Sequence, residues 1–270
     1  MTWITRQVSE VAPDGTAYDL TGPADAPLLA LIHGLGLCRH VWDGLLPELA
    51  GYRVLNYDLY GHGQSAPPPE TASLRLYSDQ LVGLMDHLGL PRAAVLGFSI
   101  GGMINRRFAL DHGNKLSSLV ILNSPHDRGA QAQEAVEERA QSVRQQGAMS
   151  TMDAALRRWF TAEYLACGSG PALVKEWRLR ADPEGYAQAA WVLANGVPEL
   201  IRPEPPIATP TLVMTCENDS GSTPDMSHAI AAEIAAAEVV IVPRLKHLGL
   251  MEQPQAFSGP VLDFLAKTLP

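Results

Sequence analysis

The chain has 270 residues, of which 46% are hydrophobic and 18% are charged, and its formal net charge at pH 7 is −9. This composition is typical of a globular protein with a large core, and the length fits one large α/β domain or two smaller domains. The negative charge argues against nucleic acid or an anionic membrane surface as a partner.

The cysteines and the N-terminus indicate the cellular compartment. The sequence contains Cys38, Cys167 and Cys216, with no CxxC pair and no Cys/His cluster of zinc spacing. Three scattered cysteines predict reduced thiols in a cytoplasmic protein. The first seven residues lack the basic and apolar regions of a signal peptide, and no apolar run approaches the ~18 residues of a spanning helix. We therefore expect a cytoplasmic protein without membrane association.

The first half of the chain alternates predicted strands and helices. Short apolar runs bounded by turn residues predict strands, and apolar residues at helical spacing predict helices. The predicted strands are Thr2–Val8, Thr16–Leu20, Leu28–Ile32, Arg53–Tyr57, Ala93–Leu96 and Leu119–Leu122, and the predicted helices are His40–Leu49, Ser73–Leu88 and Met103–Leu110. The first two strands are joined at Pro13-Asp14-Gly15 and predict a hairpin. The alternation that follows indicates a mostly parallel sheet with helices on both faces.

The alternation stops near residue 127 and resumes near residue 201. Between them we find only helical patterns, at Ala130–Gln146, Thr151–Ala166, Pro171–Ala181 and Glu184–Ala194. The sheet then continues with strands Thr211–Thr215 and Glu238–Val242 and helices Pro224–Ala237 and Gln255–Thr268. The sequence thus predicts an eight-stranded sheet formed by residues 1–126 and 201–270, with a helical cap, residues 127–200, inserted after the sixth strand.

A Gly-x-Ser-x-Gly sequence, Gly97 to Gly101, joins the fifth strand to a helix. A sharp turn between strand and helix strains the serine backbone and exposes its hydroxyl, so Ser99 is a candidate nucleophile. The backbone N–H of Ile100, at the helix N-terminus, is a candidate donor to an oxyanion. A glycine-rich turn that merely contains a serine is the alternative.

A nucleophilic serine requires a base and an acid, and both are found in loops after later strands. His247 follows the last predicted strand and is the candidate base. Asp219 follows the preceding strand and is the candidate acid that orients the imidazole. Glu217 and Asp127 are rivals for the role of the acid. The order Ser, Asp, His is the one expected for a nucleophile elbow on an α/β sheet.

A second oxyanion donor is expected from the loop His33-Gly34-Leu35-Gly36, where small residues let the backbone approach a carbonyl oxygen. The N–H of Leu35 is the candidate. His33 itself, and His62 in Gly61-His62-Gly63, are predicted to shape compact turns and not to act as bases.

Five motifs, HGLGL, YDLYGHGQS, GFSIGG, ENDSGSTP and KHLGLMEQP, occur in an order that resembles the α/β-hydrolase superfamily. Among its members the chain is most similar to small esterases and lactonases such as the 3-oxoadipate enol-lactonases, over about residues 15–125 and 205–270. Related sequences often have arginine where this chain has Tyr60, and glycine where it has Lys246. The serine at position 99 separates the chain from relatives that use a carboxylate nucleophile. The resemblance implies an α/β-hydrolase fold and a Ser-His-Asp triad.

The expected function is hydrolysis of a carboxylic ester or lactone of a small molecule through an acyl-enzyme, without a metal or organic cofactor. Hydrolysis of a carbon–carbon bond in a vinylogous diketone, a non-hydrolytic small-ligand receptor, and perhydrolysis as a side activity are the alternatives. A monomer or homodimer is expected.

The predicted cap offers aromatic and basic side chains for a substrate pocket. Trp159, Tyr164 and Trp191 are candidate pocket walls, although residues at this spacing also pack in cores. A second set, Arg157, Arg158, Arg178 and Arg180, has the charge to meet a substrate carboxylate, although solvated helix faces explain arginines equally well. The cap carries no motif that identifies the substrate.

Overall fold

Eight strands form one sheet in the computed structural model, which describes residues 10–269 except for the side chain of Cys167. In chain order they are β1 (Glu10–Val11), β2 (Ala17–Thr21), β3 (Leu28–Ile32), β4 (Arg53–Tyr57), β5 (Ala93–Phe98), β6 (Leu116–Leu122), β7 (Thr211–Cys216) and β8 (Ala237–Val242). Their order in the sheet is β1-β2-β4-β3-β5-β6-β7-β8. Strand β2 pairs antiparallel with β1 and β4, and every other pair is parallel. The predicted mostly parallel eight-stranded sheet is confirmed, while the predicted strand Thr2–Val8 lies outside the described residues.

Within residues 10–269, ten α-helices accompany the sheet. They are α1 (Leu74–His87), α2 (Ile100–Asp111), α3 (Gly129–Gln146), α4 (Met152–Trp159), α5 (Ala162–Cys167), α6 (Gly170–Arg180), α7 (Pro183–Asn195), α8 (Pro224–Ala232), α9 (Gly249–Glu252) and α10 (Gln255–Thr268). Five short 3₁₀ helices lie at Arg39–Trp42, Leu46–Leu49, Gly113–Lys115, Ala148–Thr151 and Val197–Leu200.

Burial on both faces explains why the central strands are apolar throughout. In β3 alternate side chains point to opposite faces. Leu29 and Leu31 pack in a core with Trp42 and with α10, whereas Ala30 and Ile32 pack in a second core with α1 and α2. Both faces of the sheet are therefore covered, as parallel strands require.

The segment between β6 and β7 contains helices α3 to α7 and no strand of the sheet. Helices α3 and α7 pack against each other through a small apolar cluster of their own that includes Val136, Ala140, Ala187 and Ala190. The predicted helical insertion after the sixth strand is present.

Three predicted helices have different boundaries in the structure. The prediction of one helix over His40–Leu49 was wrong, because Gly44 and Pro47 divide this stretch into two 3₁₀ turns. The prediction Thr151–Ala166 was also wrong as a single helix. It breaks at Phe160, whose backbone is extended, and Thr161 then caps the next helix by accepting a hydrogen bond from the N–H of Tyr164.

The third difference is at the end of the predicted helix Pro224–Ala237, where α8 ends at Ala232. Ala237 instead begins β8, in register with Thr211 of β7. Pairing with a buried strand outweighs the helix propensity of this alanine-rich stretch.

Candidate active site

Ser99 lies in the turn between β5 and α2 and adopts φ 58° and ψ −115°, a conformation that costs a non-glycine residue roughly 1–3 kcal/mol. The flanking glycines make this turn possible. A Cβ atom on Gly97 would lie 2.1 Å from the carbonyl oxygen of Gly101, and one on Gly101 would lie 2.3 Å from the carbonyl oxygen of Ile32. Helix α2 begins at Ile100, so the serine stands at a helix N-terminus.

Ser99, His247 and Asp219 lie in one hydrogen-bonded chain at the carboxyl edge of the sheet. Nε2 of His247 is 3.1 Å from Oγ of Ser99, and Nδ1 of His247 is 2.6 Å from Oδ2 of Asp219. Ser99 follows β5, Asp219 follows β7 and His247 follows β8. Parallel pairing brings these three loops to the same edge of the sheet. All three are buried, with Ser99 7% exposed and His247 9% exposed.

The carboxylate of Asp219 accepts four hydrogen bonds. Oδ2 accepts from His247 and from the side-chain amide of Asn123, while Oδ1 accepts from the backbone N–H groups of Gly221 and Ser222. Burial alone would raise the pKa of Asp219, but His247 and the hydrogen bonds outweigh it and hold this pKa below its usual value. The aspartate therefore stays ionised.

Asn123 was missed by the sequence reasoning. It directly follows β6, is fully buried, and has φ 47°. The sequence did contain a signal for it. Asn123 is a polar residue at the carboxyl end of a central strand, and that strand is next to the one that carries the candidate nucleophile.

The two rival acids lie elsewhere. Glu217 is exposed and accepts a hydrogen bond from the backbone N–H of Arg244. Asp127 is exposed and accepts from the backbone N–H of Gly129. Of the three candidate acids, the structure brings only Asp219 to His247.

His33 orders the loop that carries Leu35. Its Nδ1 is 2.8 Å from the carbonyl oxygen of Gly34, and its Nε2 accepts from the N–H of Leu59 at 3.0 Å. Burial lowers the pKa of His33 to about 4, so the ring is neutral and its Nδ1–H donates to Gly34. The ring of His62 packs against that of His33 at an interplanar angle of 58°, with centroids 5.3 Å apart, and burial lowers the pKa of His62 to about 3. Both histidines hold loops in place.

A cavity of about 130 Å³ opens above Ser99. Ser99, His247 and Leu35 line it from the sheet side, and Trp159 and Tyr186 line it from the helical segment. The indole ring of Trp159 lies 6.1 Å from the ring of His247. Trp159 is one of the three candidate wall residues named from the sequence, whereas Tyr186 was missed.

The other two predicted wall residues lie away from this cavity. Tyr164 stacks on Phe160, with centroids 5.2 Å apart, and donates its hydroxyl to the carbonyl oxygen of Met251. Trp191 is 47% exposed on the far face of α7. Neither residue is among those that line the cavity, because helical spacing does not determine which face of a helix meets the site.

Four arginines also line the cavity. Arg158 and Arg178 are among the sequence candidates, and Arg128 and Arg139 were missed. Burial lowers the pKa of each of the four guanidinium groups. The other two candidates, Arg157 and Arg180, have exposed side chains outside the cavity.

Backbone and side-chain hydrogen bonds join the end of α4 to the loop that carries His247, which we call the histidine loop (244–250). The N–H of Leu248 donates to the carbonyl oxygen of Trp159 at 2.8 Å, and Nζ of Lys246 donates to that of Arg157 at 2.9 Å. Just beyond this loop, Glu252 accepts from the backbone N–H of Thr161 at 3.1 Å and from its hydroxyl. The helical segment is thus fixed directly to the loop of the candidate base.

Within residues 10–269, no three His, Cys, Asp or Glu side chains are grouped closely enough to hold a metal ion. Over the same range, no helix has both the length and the apolar character needed to cross a bilayer.

Comparison with known proteins identifies relatives over nearly the whole chain. A family model described as "alpha/beta hydrolase fold" matches residues 27–254. The chain is 29% identical to 3-oxoadipate enol-lactonase 2 of Acinetobacter baylyi over 251 residues, which cover 90% of each protein. It is 26% identical to the (E)-2-((N-methylformamido)methylene)succinate hydrolase of the same organism, over 89% of this chain and 90% of that protein. The crystal structure of the enol-lactonase from Burkholderia xenovorans LB400 superposes with a TM-score of 0.86 at 30% identity, covering 93% of this chain and 96% of that one.

Proposed function

Because the chain belongs to the alpha/beta hydrolase family, we propose that it is a serine hydrolase that cleaves a carboxylic ester or lactone of a small molecule. The two Acinetobacter baylyi relatives described above are hydrolases by name, one of a lactone and one of a substituted succinate. The observation that carries the proposal is the hydrogen-bonded chain from Ser99 through His247 to Asp219, with distances of 3.1 Å and 2.6 Å.

In the first step Ser99 attacks the carbonyl carbon of the substrate. Nε2 of His247 takes the proton from the serine hydroxyl, while Nδ1–H donates to the ionised Asp219. The negative charge that develops on the carbonyl oxygen is stabilised by the N–H groups of Leu35 and Ile100. Ile100 contributes through the positive end of the α2 dipole.

Breakdown of this intermediate releases the alcohol oxygen and leaves the acyl group on Ser99. His247, now protonated at Nε2, gives that proton to the leaving oxygen. A water molecule then attacks the acyl-enzyme with the same histidine as base, and the acid product leaves. For a lactone the released alcohol stays attached to the acid, so one product forms.

We also assign residues 1–126 and 201–270 to a core domain and residues 127–200 to a cap. This division is supported by the separate apolar cluster between α3 and α7 and by the cavity, which has the sheet edge on one side and α3, α4, α6 and α7 on the other. A cap of this kind encloses the substrate and selects it by shape and charge.

The substitution Ser99→Ala tests the proposal, with Ser220→Ala as the matched control because Ser220 also lines the cavity. We expect Ser99→Ala to lower kcat on p-nitrophenyl acetate by at least about 10⁴-fold, since the triad then lacks its nucleophile. Thermal unfolding of both variants should stay close to that of the parent. Activity of Ser99→Ala within tenfold of the parent would refute the assignment.

A further inference from the structure

The cavity above Ser99 is positively charged, although the protein as a whole has a formal charge of −9. Arg128, Arg139, Arg158 and Arg178 line it, and Asp219 is the one carboxylate among its lining residues. Four positive groups and one negative group leave three positive charges. All four hydrogen bonds that Asp219 accepts come from groups other than these arginines. The charge on the cavity wall is therefore not neutralised by its own lining.

Two of these guanidinium groups are free to bind a ligand. Within residues 10–269, the guanidinium groups of Arg139 and Arg158 form no hydrogen bond and no ion pair. The exposed Glu138 attracts Arg139 electrostatically, and Asp219 attracts Arg158. Arg128, in contrast, donates to Gln133 and to the carbonyl oxygen of Leu193. Arg139 and Arg158 each present an unoccupied pair of N–H groups.

Arg178 contributes a third unmatched donor. It is 2% exposed and stacks between Trp159 and Tyr186, with its guanidinium carbon 4.9 Å and 5.3 Å from the two ring centroids. Its Nε is buried without a hydrogen-bond partner. This Nε lies 3.0 Å from the point where a Cβ of Gly36 would be, so it stands beside the loop that carries Leu35. An unmatched buried donor here points to a group on the ligand.

The electrostatics of these four arginines favour an anion. Burial lowers the pKa of Arg158, and Arg139 and Arg178 lower it further, because like charges close together disfavour one another. Arg139 has the same effect on Arg128. Arg178 is 2% exposed and forms no ion pair within residues 10–269, and a buried cation without a counter-ion is costly. A planar guanidinium matches a carboxylate in two parallel hydrogen bonds.

We propose that the substrate carries two carboxylates, one bound by Arg158 together with Nε of Arg178, and the other bound by Arg139. The first carboxylate lies next to the reacting carbonyl, because Arg178 adjoins the loop of Leu35. The second carboxylate lies at Arg139, toward Arg128. The inference rests on the proposed function, since it concerns the substrate of the same site. An uncharged aromatic or aliphatic ester would leave these arginines without a ligand group to bind.

Calorimetric binding of three compounds of equal length tests the proposal independently of turnover. Glutarate carries two carboxylates, its monoamide carries one, and glutaramide carries none. We expect each replacement of a carboxylate by an amide to weaken binding to the intact protein by about 10- to 100-fold, the range for a charge-assisted hydrogen-bonded pair. Equal binding of glutarate and glutaramide would overturn the anion site, and equal binding of glutarate and its monoamide would overturn the second carboxylate.

Matched variants connect the effect to the named residues. Arg158→Gln is compared with Arg157→Gln, the adjacent exposed arginine of α4, and Arg139→Gln with Arg144→Gln, an exposed arginine of α3 that pairs with Glu184. We expect glutarate affinity to fall about 10- to 100-fold in the first variant of each pair and to stay within twofold of the parent in the second. Equal losses within a pair would refute the assignment.

Hydrolysis of p-nitrophenyl acetate by the parent protein separates the two proposals. Tight glutarate binding without any hydrolysis would refute the serine hydrolase and support the anion site. Hydrolysis of this neutral ester, together with glutarate binding no tighter than glutaramide binding, would refute the anion site alone.

Discussion

The substitution Asp219→Asn removes a negative charge from the proposed triad with almost no change in shape. Each oxygen of Asp219 accepts two hydrogen bonds, Oδ1 from the backbone N–H groups of Gly221 and Ser222 and Oδ2 from His247 and Asn123. An asparagine side chain has one oxygen and one NH₂ group. Whichever way it is placed, the NH₂ group faces two donors.

The two placements have different consequences. With the NH₂ group toward Gly221 and Ser222, two fixed backbone donors lose their acceptor, at roughly 1–3 kcal/mol each. With the NH₂ group toward His247, the imidazole can move its proton to Nε2 and accept the new hydrogen bond at Nδ1. The second placement is favoured because an imidazole can change tautomer and a backbone N–H cannot. A protonated Nε2 then faces Ser99 and cannot take the serine proton.

We therefore expect Asp219→Asn to lower kcat on p-nitrophenyl acetate by about 10³- to 10⁴-fold, or roughly 4–5.5 kcal/mol of transition-state stabilisation. The control is Glu217→Gln, which alters an exposed carboxylate bonded to the N–H of Arg244 and should keep kcat within about twofold. Initial rates at neutral pH measure both. Asp219→Asn with more than a tenth of the parent kcat, or a larger loss in Glu217→Gln, would refute this account of the acid.

Two further predictions concern stability. Glu252→Gln weakens the charge-assisted hydrogen bonds from Thr161, so the free energy of unfolding in urea should fall by about 1–3 kcal/mol, and a change below about 0.5 kcal/mol would contradict the contact. The pKa values of His33 and His62 are lowered to about 4 and about 3 in the folded state, while the unfolded value is about 6.5. Below pH 6.5 the unfolded state therefore binds more protons than the folded state. The free energy of unfolding falls with the pH by about 1.4 kcal/mol per pH unit for each histidine. Replacing His62 by glutamine should remove one such contribution to the slope of unfolding free energy against pH between pH 6 and pH 4. The control is His228→Gln, because His228 is exposed. An unchanged slope in the His62 variant would contradict the burial of His62 as a neutral ring.

The sequence was sufficient for the sheet because its strands are short apolar runs with clear ends. Leu28–Ile32 and Arg53–Tyr57 agree at both ends, and so does the closing helix Gln255–Thr268. Helix α9, with four residues, is too short to show any periodicity. The break at Thr161 depends on a side chain that caps the following helix, which hydrophobic spacing does not reveal.

The positions of Ser99, Asp219 and His247 were predictable because parallel strands end at the same edge, so chain order alone brings their loops together. The cavity wall was not predictable in this way. Trp159 of α4 lines the cavity, whereas Trp191 of α7 is 47% exposed and does not line it. The rotation of each cap helix is determined by its contacts with the other helices and with the histidine loop, and these contacts join residues distant in sequence.

The adjacent arginines of α4 show how such contacts determine the site. The carbonyl oxygens of Arg157 and Trp159 hold Lys246 and Leu248 of the histidine loop, and Arg158 lies between them with its side chain in the cavity. These two bonds hold the end of α4 against the histidine loop, with Arg158 lining the cavity and Arg157 exposed outside it. The bond to Arg157 depends on the side chain of Lys246, so a glycine at position 246 would lack it. The same stretch of backbone therefore joins the loop of the proposed base to the helical turn that carries Arg158.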